Sequence, residues 1–170
     1  MRKGLQERYM NTESRYVWHY TVGTPLAAIA RSGRLRPAMA HGRPARPGEH
    51  DILWFSRNQQ WDPSATQDDG LSEARHALSR AALHARFGLY RFGIAANDSR
   101  LLPWPTVTRV ADIEVPDAMA MVAAGLRCGA APTDWIGTLT EIPLSELRFE
   151  AWTGREWTTA DLNELAAQLA

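Results

Sequence analysis

Three short runs constrain this chain most: Tyr16-Val17-Trp18-His19-Tyr20-Thr21, Asp51-Ile52-Leu53-Trp54-Phe55-Ser56 and Leu89-Tyr90-Arg91-Phe92-Gly93-Ile94. Aromatic and β-branched residues dominate them, and such side chains fit a pleated strand better than a helix, where the preceding turn restricts them. After the first run, Thr24 is placed to cap a helix that starts at Pro25, where a missing N–H costs nothing. Leu26, Ile29 and Ala30 then recur at helical spacing, and Gly33 falls where a left-handed C-terminal cap belongs. Residues 71–84 read as a second helix started near Asp69 or Ser72, and residues 117–126 as a third. Residues 161–169 read as a terminal helix capped by Thr158 or Thr159. Residues 135–142 and 147–152 read as late strands, the second turning at Thr153-Gly154-Arg155-Glu156 into Trp157-Thr158. Loops are expected over residues 39–50, over 57–70 and at Pro103-Trp104-Pro105. A strand–helix–strand opening followed by clustered strands implies the α+β class. The expected architecture is a set of twisted, mostly antiparallel sheets with a cleft, flanked by short helices.

Composition narrows the functional classes. At 170 residues the chain suits one domain, read here as residues 15–170 behind a flexible polar segment, 1–14. Apolar residues at 45% and charged residues at 22% match a globular protein and exclude a disordered or collagenous one. Apolar runs such as residues 118–126 fall far short of the ~20 residues a membrane span needs. The start, Met1-Arg2-Lys3-Gly4-Leu5-Gln6-Glu7, has no apolar stretch behind its charge, so no secretory leader is expected. Cys128, the only cysteine, excludes an internal disulfide and a thiolate cluster, lacks an activating base, and points to a cytoplasmic setting. The net charge of zero argues against bulk attraction to nucleic acid. Arg31, Arg34, Arg36, Arg43, Arg46 and Arg57 nevertheless gather in one stretch, opposed by Glu49 and Asp51, and could receive a phosphate-bearing ligand. His41, His50, His76 and His84 show no metal-ligand spacing, and no metal is expected. Phosphate-loop, dinucleotide-fingerprint, zinc-protease and nucleophile-elbow motifs are missing. Trp135, Trp152 and Trp157 read as hairpin and core aromatics.

One unit stands out: Trp18-His19-Tyr20-Thr21, then Leu26-x-x-Ile29-x-x-x-Gly33-x-Leu35-x-Pro37. A strand, tight turn, short helix and glycine exit of this form resemble the opening of the ADP-ribosyltransferase superfamily, in its His-first branch, and of related RNA 2′-phosphotransferases. Leu53-Trp54-Phe55-Ser56 is similar to the strand that supplies the next cleft wall in that family. Together the matches fall between Trp18 and Trp61, roughly a quarter of the chain.

The resemblance implies NAD as a substrate, with no metal. His19 would meet the adenosine ribose and Tyr20 or Thr21 would shape the adjacent wall. Ser56 would sit near the nicotinamide half, and Trp54 or Trp61 would stack on a ring. Arg31, Arg34 or Arg57 would offset the pyrophosphate charge, since guanidinium groups engage phosphate oxygens in a fork. The family ends its constellation with a late-strand glutamate that stabilises the cationic sugar as nicotinamide leaves. Here the corresponding stretch is Thr133-Asp134-Trp135-Ile136-Gly137-Thr138-Leu139-Thr140-Glu141-Ile142-Pro143. Asp134 or Trp135 stands where the glutamate belongs, and Glu141 lies immediately before the Ile-Pro exit. The catalytic candidates are therefore His19, Ser56, Asp134 and Glu141. Candidates for holding the dinucleotide are His19, Tyr20, Thr21, Arg34, Trp54, Arg57 and Trp61. Three readings follow: transfer of ADP-ribose to a protein or nucleic-acid acceptor; a catalytically silent nucleotide-binding or adaptor module on the same scaffold; and removal of an RNA 2′-phosphate. Oligomeric state is left open by the sequence.

Overall fold

The first run folds as β1 (Tyr16–Val22), and its partners organise the molecule. A computed structural model describes residues 15–38, 46–66 and 78–169 of the chain. The expected lead segment, His41, Arg43, His76 and the first half of the expected 71–84 helix lie outside the described residues. After β1 come α1 (Leu26–Ser32), β2 (Arg34–Leu35), β3 (Leu53–Ser56), α2 (Arg80–Phe87) and β4 (Leu89–Ala95). There follow β5 (Leu102–Pro103), α3 (Trp104–Val110), α4 (Val115–Arg127), β6 (Trp135–Thr138) and β7 (Ile142–Pro143). The chain closes with β8 (Arg148–Trp152), β9 (Trp157–Thr159) and α5 (Leu162–Gln168).

Seven strands form one sheet in the order β5-β6-β3-β1-β4-β8-β9, and β2 pairs with β7 in a second, two-stranded sheet. Neighbouring strands run antiparallel throughout. The fold is α+β, as the pattern of runs requires. Side chains alternate between the faces of the large sheet. One face carries Val17, Leu53, Phe55, Tyr90, Phe92, Ile94, Ile136 and Phe149, buried with Leu26 of α1 and with Leu35 and Ile142 of the small sheet. The other face packs Val22, Leu89 and Trp152 against Leu83 of α2, and Ile52 against Val107 and Ala111 at α3. Because both faces are covered, β4 is buried along nearly its whole length, including its one charged residue, Arg91.

Several boundaries differ from expectation. Thr24 does not cap α1: Pro25 is the cap residue, and the helix begins one residue later. Gly33 does close it, with φ +69°, donating to the carbonyls of Ile29 and Ala30. In the described part of the expected 71–84 helix, α2 starts at Arg80, capped by Ser79, whose hydroxyl accepts from Ala82 N–H at 3.2 Å, and it runs on to Phe87. Pro103-Trp104-Pro105 is not a loop but the entry of α3, because a proline in the first turn loses no helical hydrogen bond. α4 likewise starts at Val115, ahead of Pro116. The 135–142 strand breaks at Leu139–Glu141 into β6 and β7, which serve different sheets. Asp161, not a threonine, caps α5, accepting from Asn163 and Glu164 N–H at 2.8 and 3.0 Å. The hairpin from β8 to β9 turns as expected, with Trp152 opposite Trp157.

No helix among the described residues is long and apolar enough to cross a membrane.

Candidate functional site

β1 treats its two neighbours unequally. It pairs with β4 through every residue from Tyr16 to Val22, but with β3 only where Trp18 meets Ser56. Beyond that point the ladder between β1 and β3 stops, and His19 sits at the fork. Its Nδ1–H donates to the Trp54 carbonyl at 2.8 Å, so a side chain takes an acceptor on β3. A carbonyl can only accept, which fixes the proton on Nδ1 and leaves Nε2 as a lone-pair acceptor in the neutral ring. Burial pushes the pKa below the ordinary histidine value, outweighing the Trp54 hydrogen bond, which acts the other way. The ring lies edge-on to Phe55, 6.0 Å between centroids, and remains half-buried. Thr21 follows on the same side of β1, also half-buried.

Asp134 ends a 3-10 turn (Pro132–Asp134) immediately before β6, two strands away from β1 across β3. In register, Trp18 faces Ser56 and Ser56 faces Trp135, the residue that follows it. Asp134 is half-buried, and its carboxylate has no hydrogen bond or ion pair among the described residues. Its backbone carbonyl accepts from Arg57 N–H at 2.8 Å, which ties the head of β6 to the end of β3. The Arg57 side chain is exposed.

The remaining candidates fall elsewhere. Ser56 donates to Asp62 Oδ2 at 2.5 Å and accepts from Asn58 N–H, a buried pair that shapes the loop after β3. Tyr20 points to the opposite face from His19, donating to the Asn58 carbonyl at 2.6 Å. Burial, partly offset by Arg91, pushes the Tyr20 hydroxyl up to about 12. Trp61 lies edge-on to Tyr20 at 5.0 Å. The Trp54 ring is on that side too, 5.5 Å from Trp104, and its indole N–H has no hydrogen-bond partner among the described residues. Glu141 is exposed between Arg34 at 2.7 Å and Arg36 at 3.2 Å, and the Arg34 hydrogen bond holds its pKa below the usual carboxylate value. The fold therefore leaves His19 and Thr21 on one face of β1 and takes Tyr20, Ser56, Trp54 and Trp61 to the other, with Asp134 in the turn before β6.

A polar assembly on that second face was not singled out by sequence reasoning. Arg91 lies between the rings of Trp18 and Trp157, 3.7 and 4.5 Å from their centroids. Its Nε and Nη2 donate to Glu150 Oε2 at 2.8 and 2.6 Å, and its Nη1 donates to the Gln59 carbonyl at 2.6 Å. Four successive carbonyls of the loop, those of Arg57, Asn58, Gln59 and Gln60, accept from Gln59 Nε2, Tyr20 Oη, Arg91 Nη1 and Trp157 Nε1 respectively. The loop is thus pinned to the sheet beneath it and forms a fixed wall. The signal available in the sequence was one arginine inside an otherwise apolar strand, β4, and a glutamate between apolar residues in β8, where Arg148 Nε also meets Glu150 Oε1 at 2.7 Å.

Among the described residues no group of three or more His, Cys, Asp or Glu could hold a metal ion. No protein-family model matches the chain, and no curated protein or solved structure matches it either.

Proposed function

We propose that the chain binds NAD at the fork between β1 and β3 beside His19, and acts in the cytoplasm as an ADP-ribosyltransferase-like protein on a protein or nucleic-acid acceptor. The observation that carries this reading is His19: half-buried at a strand fork, with Nδ1–H committed to a backbone carbonyl and Nε2 left to accept from a ligand hydroxyl. In this reading a ribose hydroxyl donates to Nε2, and Asp134, in the turn before β6, faces the second ribose. A carboxylate there stabilises positive charge as the glycosidic bond to nicotinamide lengthens. Thr21 lines the wall beside His19.

A second reading, a silent nucleotide-binding module, is favoured by the state of the acids. Glu141 is engaged by Arg34 and Arg36, and the strand head offers aspartate, one methylene shorter than the family's glutamate. The same ion pairs engage two of the arginines that removal of an RNA 2′-phosphate would call on.

Calorimetric titration with NAD, together with an assay for released nicotinamide, tests these readings. Wild-type protein is expected to bind NAD, and His19→Ala to bind it at least tenfold more weakly, the loss of about one good hydrogen bond. Binding without nicotinamide release for any acceptor selects the silent module. No binding of NAD or ADP-ribose sinks both.

A further inference from the structure

Arg80 begins α2 and His84 follows it by four residues, which puts both side chains on one face of the helix. Neither side chain makes a hydrogen bond or an ion pair among the described residues. The half-buried Arg80 guanidinium instead lies over the Trp152 ring, 4.4 Å from its centroid. His84 Nδ1 is sealed from solvent, and its Nε2 comes within 3.6 Å of where a side chain on Gly154 would begin. Trp152 ends β8 and Gly154 sits in the turn to β9, so both helix residues face this hairpin. Trp152 itself is only 9% exposed, packed with Val22, Leu83 and Leu89, and its indole N–H also lacks a partner among the described residues. That nitrogen, unlike those of Trp54 and Trp135, is not sealed from solvent. The nearby loop carbonyls are already engaged: that of Gln60 takes the Trp157 N–H, and that of Asn58 takes the Tyr20 hydroxyl.

We propose that the seam between α2 and the β8–β9 hairpin binds a phosphate group, held by Arg80, His84 and the indole N–H of Trp152. All three groups bring donors. A guanidinium and an indole can only donate, and an imidazole donates from whichever nitrogen carries its proton. No described carboxylate pairs with Arg80 or His84, and α2 has no acid in its first turn. Donors left unmet in a largely buried setting cost free energy that an incoming acceptor recovers. The charge of Arg80 makes that acceptor an anion. A carboxylate has two oxygens, which a single guanidinium fork takes by itself, leaving the imidazole and the indole unmet. A phosphate group offers three oxygens and matches three donors. The seam lies on the sheet face that carries Val22 and Trp152, opposite His19, so it is separate from the site proposed for NAD.

Heteronuclear NMR of the full chain, titrated with inorganic phosphate to about 10 mM, reads the site directly. The Trp152 indole N–H and the His84 ring are expected to shift together and to saturate. Acetate at matched ionic strength is expected to act at least tenfold more weakly, and chloride to give no saturable shift. Arg80→Gln is expected to weaken phosphate binding at least tenfold, and Arg80→Lys, which keeps the charge without the fork, to weaken it less. Ribose 5-phosphate in a parallel titration separates the sources. Tighter binding than inorganic phosphate means a phosphomonoester, and weaker binding means the free ion. The proposal is overturned if phosphate gives no saturable shift at Trp152, if acetate or chloride acts as strongly, or if folded Arg80→Gln binds like the wild type. The wild-type comparison of anions decides the matter even where a variant does not fold.

Discussion

His19 and Arg91 lie on neighbouring strands and solve opposite problems. His19 is kept neutral by burial, with one ring nitrogen tied to Trp54. Since its folded pKa is depressed, the unfolded chain takes up the proton first as pH falls below the ordinary histidine value. Stability from this group is complete above about pH 6.5 and declines as pH drops through the window below it. Urea titrations at pH 7 and pH 5 are expected to show the midpoint falling more for the wild type than for His19→Gln. NAD affinity has the same sign in the proposed site: flat through neutral pH and weaker in acid, where a protonated Nε2 can no longer accept. Titration at several pH values checks it. Around Arg91, Glu150 and two indole rings take the place of water. Its partner is buried as deeply as it is, so Glu150→Ala leaves an unmatched interior cation and is expected to destabilise by about 3–5 kcal/mol in urea unfolding. The paired replacement Arg91→Met with Glu150→Leu is expected to cost far less, since the one cation that then loses its partner, Arg148, is half exposed and stays hydrated.

At the scale of elements, caps decided where helices begin. Ser79 and Asp161 each accept orphaned N–H groups in a first turn. Ser79→Ala is expected to lower stability by about 1 kcal/mol, and Asp161→Ala by a similar amount, both measured by chemical denaturation. Gly33 sits at φ +69° with open space where a side chain would begin, so Gly33→Ala meets backbone strain alone, of about 1 kcal/mol. Strands behave differently. β6 and β7 are nearly continuous in sequence, yet the turn at residues 139–141 sends them to separate sheets, and β1 leaves β3 after one residue pair.

For the molecule as a whole, the decisive contacts are those that seat the helices on the large sheet. Gly125 is the clearest: a Cβ there would overlap the Trp135 ring, which lies directly against the glycine backbone. Trp135 is packed in turn against Trp104 at the start of α3. Gly125→Ala is therefore expected to shift α4 or Trp135 and to destabilise by about 1–3 kcal/mol, seen as a lower denaturation midpoint and a changed tryptophan emission. The same seating leaves Val115, Met119 and Leu126 facing out.

The sequence by itself determined what depends on near neighbours. Three aromatic and β-branched runs became β1, β3 and β4, Gly33 became a left-handed cap, and Thr153–Glu156 became a hairpin turn, because each preference is settled within a few residues. It also made His19 conspicuous. Only the tertiary structure decided which face each candidate occupies and what partner it meets. Ser56 found Asp62, Glu141 found Arg34 across 107 positions, and Arg91 found Glu150 across 59. Pairings over such distances arise from strand order and register, which no local pattern encodes, so an arginine and a glutamate that look misplaced in their own strands become a matched pair when the sheet forms.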